Sequence, residues 1–319
     1  MQRGANKMKK ISLIVPCYNE EQNIEPFIDA VDKLFQTIPY KLELIAINDG
    51  SKDETLSQLL KMQETHSYIK VIDLSRNFGK ESALSAGLFH VSGDAAIPID
   101  ADLQHPLELI PQMLDLWLSG YEVVLAKRTN RKTDTAIQRV SAQIFYNLHN
   151  KISDIKIPAD VGDFRLMDRS VVNALNALKE NCRFMKGLFA WVGFKTTTIS
   201  YEVSPRLHGS SKFKTWQLWN FALEGITSFS TAPLKVWTYA GVAIAGISLL
   251  YALFIILKTI FFGSDLAGYP SILVSILFMG GIQLISIGTL GEYIGRIYTE
   301  SKNRPPYIVR KTYTKDETL

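Results

Sequence analysis

Short apolar runs alternate with amphipathic segments from Ile11 to about Val203. The runs have the length and composition of β-strands: ISLIVPCYN, LELIAIND, IKVIDLS, AAIPIDAD and EVVLAKR. The segments between them, such as NIEPFIDAVDKLFQTI, carry apolar residues at helical spacing. This alternation is typical of parallel strands in one sheet with helices on both faces. The sequence therefore predicts an α/β domain with a mainly parallel sheet.

Polar residues follow four of these runs, at the point where each strand should end. The clusters are Tyr18-Asn19-Glu20, Asp49-Gly50-Ser51, Arg76-Asn77 and Asp100-Ala101-Asp102. Ligands of open parallel sheets bind outside the carboxyl ends of the strands. We therefore predict one binding site at this edge of the sheet.

Asp100 and Asp102 end the fourth run, in IPIDADLQHP. Side chains two apart on a strand point the same way, so a strand that continues through Asp102 would place two negative charges together. A cation removes that repulsion, and hard cations such as Mg²⁺ and Mn²⁺ prefer carboxylate oxygens. Gln104 could add an amide oxygen. The alternative is that these aspartates form a turn or cap a helix.

The first strand ends contain neither G-x-G-x-x-G nor G-x-x-x-x-G-K-[ST], which argues against a dinucleotide enzyme and a P-loop ATPase. Asp49 could still accept hydrogen bonds from a base or a ribose, as acidic residues at strand ends do. Its alternative role is to cap a helix over GSKDET. Lys80, which follows Gly79, is either a phosphate contact or a solvated helix start.

Two long runs without a charged residue lie beyond residue 232: Val236–Leu257 has 22 residues and Leu266–Leu290 has 25. As a helix the first run would be roughly 33 Å long, against about 30 Å for the hydrocarbon core of a bilayer. The link KTIFFGSD is short, which predicts a transmembrane hairpin with spans at about 236–258 and 267–291. Lys and Arg gather on both outer flanks, so both termini are predicted to be cytoplasmic.

The segment Trp216–Thr231 mixes aromatic and aliphatic residues with few charges. It is either an amphipathic helix in the membrane interface or a helix packed on the α/β domain. The predicted organisation is a cytoplasmic α/β domain, an interfacial segment, a transmembrane hairpin and a cytoplasmic tail, over residues 1–215, 216–232, 233–298 and 299–319.

Charge and cysteine content exclude other classes of protein. The formal net charge of +4 is mild and argues against a dedicated nucleic-acid binder. Cys17 and Cys182 are the two cysteines and form no C-x-x-C pair, so neither a disulfide framework nor a zinc site is indicated.

A series of short motifs resembles that of glycosyltransferase family 2: VPCYNE, NDGSKDET, SRNFGKESAL, DADLQHP, GDFRLMDR, RFMKG and RLHGSSK. The resemblance is to the polyprenyl-phosphate branch of that family, and the two-span hairpin extends it almost to the end of the chain. Each motif alone is unspecific, whereas the ordered series is specific. Asn48 and Leu107 depart from the family pattern, where Asp and Pro are common.

The resemblance implies a GT-A (Rossmann-like) fold, a nucleotide-sugar donor and Mg²⁺ or Mn²⁺ as cofactor. It also implies that the sugar is transferred to a polyprenyl phosphate with inversion at the anomeric carbon. The residues expected to hold the nucleotide are Pro16, Tyr18, Glu20, Asp49, Lys80 and Asp100. Those expected to serve the metal and the diphosphate are Asp100, Asp102 and Gln104.

Asp163, in GDF, resembles the residue assigned as the catalytic base. The acceptor is a phosphate monoester with a second pKa of about 6, so near pH 7 a base finds little proton to remove. Asp163 is therefore either a base for a residual proton or a group that orients the acceptor or the sugar. Without the resemblance it would be a loop residue after Gly162.

A lipid phosphate needs cationic partners, and arginine suits phosphate because it can bind through two parallel hydrogen bonds. The candidates for this contact are Arg128, Arg139, Arg206 and Lys212. His105 and His208 are further ligand candidates, although satisfied or exposed histidines are the commoner case.

The leading interpretation is an integral protein of the bacterial cytoplasmic (inner) membrane that transfers glucose from UDP-glucose to undecaprenyl phosphate. Related enzymes suggest a homo-oligomer such as a tetramer. A GDP-mannose or UDP-aminosugar donor is the alternative within the enzyme class. A membrane scaffold or lipid-binding protein with a decayed transferase domain is the non-enzyme alternative. The intact acidic series and Asp163 argue against decay.

Overall fold

The computed structural model describes residues 8–129, 158, 161–181, 183–202, 232–262 and 268–315. Its strands are β1 (Lys10–Cys17), β2 (Lys41–Asn48), β3 (Ile69–Leu74), β4 (Ala95–Pro98), β5 (Val123–Arg128), β6 (Val161–Asp168), β7 (Thr196–Tyr201) and β8 (Val309–Tyr313). Its helices are α1 (Ile24–Phe35), α2 (Thr55–Thr65), α3 (Lys80–His90), α4 (Leu109–Leu118), α5 (Arg169–Ala177), α6 (Met185–Trp191), α7 (Ala232–Phe262) and α8 (Tyr269–Ser301).

The described strands form an eight-stranded sheet in the order β7-β5-β6-β4-β1-β2-β3-β8. β1 pairs in parallel with β2 and β4, β2 with β3, and β5 with β7. β6 is antiparallel to β4 and β5, and β8 is antiparallel to β3. The prediction of an α/β domain with a mainly parallel sheet is confirmed, and every predicted strand run contains a strand.

Helices cover both faces of the sheet, which explains why the central strands are largely buried and mostly apolar. On one face, Leu13 and Val15 of β1 belong to the same buried cluster as Phe27 of α1, together with residues of α2 and α4. On the other face, Ile14 shares a cluster with Leu84 of α3 and with residues of α5 and α6. Successive residues of β1 thus enter opposite layers, as the alternation of side chains along a strand requires.

β8 brings the C-terminal part of the chain back to the edge of the sheet. Its Tyr313 pairs with Val71 of β3. Gln63 Nε2 donates to the carbonyl oxygens of Ile69 (3.1 Å) and Tyr313 (2.7 Å), which ties α2 to both strands. The segment 299–319, predicted as a tail, therefore supplies a strand that covers the edge of β3.

α7 and α8 are helices of 31 and 33 residues that contain most of the two uncharged runs. Among the helices of the described residues, none combines the length and the apolarity that a membrane span requires. The end of α8 contacts the α/β domain, where the backbone N–H of Asn181 donates to Glu300 Oε1 at 3.0 Å. The segment 216–231 lies outside the described residues. Its two alternatives, an interfacial helix and a helix packed on the α/β domain, stay predictions. The predicted domain boundaries stay predictions.

Gly50 forms the turn after β2 with a φ of +64°, in the left-handed region that favours glycine. A Cβ atom added there would lie 2.4 Å from the carbonyl carbon of Arg76 and 2.4 Å from the amide nitrogen of Asn77. Both are backbone atoms, so the segment could not move aside as a flexible side chain would. The absence of a side chain at Gly50 therefore lets the turn after β2 pack directly on the loop after β3.

We expect Gly50→Ala to lower the free energy of unfolding by more than about 2 kcal/mol. The left-handed conformation costs an alanine on the order of 1–2 kcal/mol, and the backbone of residues 76–77 must also shift. Gly120→Ala is the matched control, because its φ is +96° and no atom lies within 4 Å of the added Cβ. Urea unfolding measures both variants, and equal losses would show that the close approach at Gly50 contributes nothing.

Candidate active site

The turns after β1 and β2 brace each other through hydrogen bonds. Asn19, with a φ of +55°, donates its backbone N–H to Ser51 Oγ (3.0 Å). Its side-chain Oδ1 accepts from the backbone N–H of Lys52 (2.9 Å). These bonds fix the turn at the end of β1 against the DGS turn at the same edge of the sheet. The predicted nucleotide residues on the last part of β1 and in its turn are Pro16, Tyr18 and Glu20.

Asp49 is buried, at 3% exposure, and its carboxylate holds the loop that follows β3. Its Oδ1 accepts from the backbone N–H of Phe78 (2.7 Å) and its Oδ2 from that of Gly79 (2.9 Å). Burial raises the pKa of this carboxyl group, against the lowering effect of both hydrogen bonds and of Arg76. Asp49 does not cap α2, and its predicted contact with a nucleoside must share oxygens that already position the loop before Lys80.

Asp100 and Asp102 lie in a turn and not on a strand. β4 ends at Pro98, and Leu103 adopts a φ of +55°. Asp102 Oδ1 accepts from the backbone N–H of Gln104 at 3.1 Å. β4 does not continue through Asp102, so of the two alternatives the turn describes the backbone of this pair.

Asp163 lies in β6, so the alternative of a loop residue after Gly162 does not describe its backbone. Because β6 runs antiparallel to β4, the beginning of β6 lies at the edge where β4 ends. This topology brings Asp163 to the site of Asp100. Asp163 Oδ1 is buried and has no hydrogen-bond partner among the described residues.

Lys80 joins the two carboxylates. Its Nζ lies 2.7 Å from Asp100 Oδ1, 2.9 Å from Asp100 Oδ2 and 2.9 Å from Asp163 Oδ2. Burial alone would lower the pKa of Lys80, but the charges of the two aspartates outweigh it and raise the pKa above its ordinary value. Burial would raise the pKa of Asp163, yet Lys80 and Lys186 hold it below its ordinary value. Lys80 and Asp163 are therefore both charged near pH 7.

The donor set suits a divalent metal that is shared with a substrate. Among the described residues, no group of three or more His, Cys, Asp or Glu side chains could hold a metal ion. Mg²⁺ is commonly bound by one or two carboxylates together with substrate phosphates, and it does not need an all-protein cage. The carboxylates of Asp100 and Asp102 and the amide oxygen of Gln104 on one turn meet that requirement.

Glu81, the residue after Lys80, was missed by the sequence analysis. Its Oε2 accepts from the backbone N–H of Met185, the first residue of α6, at 2.9 Å. The pKa of Glu81 is raised to about 7. Burial is the main cause and the negative charge of Asp163 also raises it, whereas the hydrogen bond from Met185 and the charges of Lys186 and Lys80 lower it. No local pattern in the sequence marks Glu81, because its burial depends on α6.

Two other predicted positions are less directly connected to the cluster. His105 is buried, its ring centroid lies 4.9 Å from that of Phe164, and burial lowers its pKa, so it is a neutral member of an aromatic cluster. Arg128, at the end of β5, donates from Nε to Tyr201 Oη at 3.3 Å. Three predicted phosphate contacts lie outside the described residues: Arg139, Arg206 and Lys212. The ligand candidate His208 also lies outside them.

The acidic turn after β4 and antiparallel β6 meet at the carboxyl edge of an α/β sheet, which agrees with the GT-A fold that the motif series implies for a glycosyltransferase. The comparison with protein families makes the assignment specific. The chain belongs to glycosyl transferase family 2, whose family model matches residues 12–175. The resemblance drawn from the motifs is therefore confirmed.

Curated relatives match almost the whole chain. A bactoprenol glucosyl transferase derived from the SfII prophage of Shigella flexneri is 54% identical over 304 residues, which cover 95% of this chain and 98% of the relative. A prophage bactoprenol glucosyl transferase homolog of Escherichia coli is 51% identical over 302 residues, 95% of this chain and 99% of the relative. An uncharacterized glycosyltransferase of Synechocystis is 51% identical over 300 residues, 94% of each chain.

We expect Glu81→Gln to raise stability more at pH 8 than at pH 5. The folded-state pKa of about 7 exceeds the ordinary value of 4.5, so the unfolded chain releases this proton first. Wild-type stability is therefore lost as the pH rises from about 4.5 to 7, and a neutral glutamine removes the loss. Thermal unfolding at both pH values measures the effect, with the exposed Glu25→Gln as control. An equal difference from wild type at the two pH values would contradict the prediction.

Proposed function

We propose that this protein transfers glucose from UDP-glucose to a polyprenyl phosphate, such as undecaprenyl phosphate, with inversion at the anomeric carbon. The observation that carries the proposal is the cluster of Lys80, Asp100 and Asp163 at the carboxyl edge of the sheet. The names of the relatives from Shigella and Escherichia coli support glucose as the sugar and bactoprenol as the carrier.

In the proposed reaction, a phosphate oxygen of the acceptor forms a bond to the anomeric carbon of glucose as the bond to the diphosphate breaks. A Mg²⁺ or Mn²⁺ ion held by Asp100, Asp102 and Gln104 would neutralise charge on the departing UDP. Pro16, Tyr18, Glu20 and Asp49 are proposed to face the nucleoside.

Asp163 is proposed to orient a substrate and not to act as a strong base. A general base works best with a pKa near the working pH, whereas the pKa of Asp163 is held below its ordinary value. The acceptor phosphate is already mostly a dianion near pH 7. The side chain of Asp163, which is 17% exposed, is instead proposed to accept a hydrogen bond from a hydroxyl group of the sugar.

We also propose that residues 233–298 form a hairpin in the bacterial cytoplasmic membrane, with the α/β domain and both termini in the cytoplasm. The two uncharged runs and the Lys and Arg residues on their outer flanks support this. β7 precedes the helix pair and β8 follows it in the same sheet, so both outer ends of the pair start from one side. The proposed contacts for the lipid phosphate at that surface are Arg128, Arg139, Arg206 and Lys212, and a homo-oligomer such as a tetramer is proposed for the assembly.

A donor panel tests the reaction. We expect the full-length protein in detergent, with Mn²⁺ and undecaprenyl phosphate, to release UDP from UDP-glucose and to form glucosyl-phosphoryl-undecaprenol, identified by mass spectrometry. Omission of the lipid phosphate is the control and should abolish the release. If a product forms only from GDP-mannose or a UDP-aminosugar, that sugar nucleotide is the donor and the proposal of UDP-glucose is wrong. If no donor gives a product, the result favours the alternative of a membrane scaffold or lipid-binding protein.

Two isosteric variants separate the donor side of the site from the acceptor side. We expect Asp102→Asn to weaken Mn²⁺-dependent UDP binding and to reduce turnover by about 100-fold, because stabilisation of the departing diphosphate is lost. Asp163→Asn should reduce turnover while UDP binding stays nearly unchanged. Calorimetry with UDP and initial rates of transfer measure the two effects, and the assignment of Asp163 is wrong if its variant chiefly weakens UDP binding.

A further inference from the structure

The Lys80 ammonium lies where a cation shared by Asp100 and Asp163 would lie. It is within 2.9 Å of both oxygens of Asp100 and of Oδ2 of Asp163. Both Asp100 oxygens are therefore engaged by one positive group. A divalent ion on Asp100 would have to share these oxygens with Lys80, at a separation where two positive charges repel strongly.

The position of Lys80 in the fold allows its side chain to leave. Lys80 is the first residue of α3, and its side chain is 39% exposed. The preceding Gly79 has a φ of +93°, and no atom of the described residues lies within 4 Å of an added Cβ, so this part of the chain leaves space beside the turn. The long side chain can reach a new anionic partner without a change in the helix.

We propose that Lys80 is a resident cation that holds Asp100 and Asp163 together in the free protein and must leave Asp100 before a divalent metal binds there. The diphosphate of the donor is the new partner to which its ammonium moves. This inference rests on the metal site of the proposed function. It follows that the free protein binds metal weakly, and that nucleotide and metal strengthen each other's binding.

Direct measurement of Mn²⁺ binding tests the inference without any transfer reaction. The full-length protein in detergent is titrated with Mn²⁺, and free Mn²⁺ is measured by electron paramagnetic resonance, with and without UDP. Without UDP, Lys80→Met should bind Mn²⁺ at least about 10-fold more tightly than wild type, the effect of removing a repulsion of roughly 1.4 kcal/mol. UDP should tighten Mn²⁺ binding by a larger factor in wild type than in Lys80→Met.

Two further variants distinguish contact from general charge. Lys80→Arg keeps the positive charge and should bind Mn²⁺ as weakly as wild type. Lys186→Met removes a charge that acts on Asp163 without occupying Asp100, and it should change Mn²⁺ affinity less than Lys80→Met does. Thermal unfolding confirms that each variant is folded, and Lys80→Gln replaces Lys80→Met if the latter is not.

The possible results are distinct. Equal or weaker Mn²⁺ binding by Lys80→Met, or equal tightening by Lys186→Met, overturns the role of Lys80 and leaves the proposed function intact. A failure of wild type and every variant to bind Mn²⁺, even with UDP, overturns the metal site and this inference together.

Discussion

The ion contact between Lys80 and two carboxylates is the interaction on which the site depends. Asp100 comes from the turn after β4 and Asp163 from β6, and two negative charges this close repel each other unless a cation lies between them. The ammonium offsets this repulsion: against the effect of burial, the two aspartates raise the pKa of Lys80, and Lys80 lowers the pKa of Asp163. Antiparallel β6 brings Asp163 to the edge where Asp100 lies, and the positive charge of Lys80 reduces the repulsion between the two carboxylates.

The parallel part of the fold could be predicted because burial on both faces leaves an unambiguous pattern. β1 and β2 are mostly apolar and largely buried, and each is followed by a polar turn. The rule that ligands bind at the carboxyl ends of parallel strands places Asp49 and Asp100 at one edge of the sheet from their positions in the chain alone. Their contacts could not be predicted, since the hydrogen bonds of Asp49 go to a loop 29 residues further along the chain.

The missed features all depend on contacts between distant segments. β6 carries Asp163, Arg165 and Asp168, so it lacks the apolar run that marks a buried strand. β8 is a five-residue edge strand with two basic residues, VRKTY, a pattern equally typical of a solvated tail. Glu81 has an ordinary position at the start of a helix. Contacts with distant segments bury its carboxylate, and this burial, together with the charge of Asp163, raises its pKa.

The pairing of β8 with β3 has a consequence for biosynthesis. β3 leaves the ribosome early, whereas the strand that covers its edge is translated only after both long helices. Until then the outer backbone N–H and C=O groups of β3 form an open template for association with another chain. A chain that stops before residue 309 keeps that edge open permanently. The sheet is therefore complete only after the helix pair has been synthesised. Incomplete chains expose the unpaired edge of β3, which chaperones and proteases can recognise.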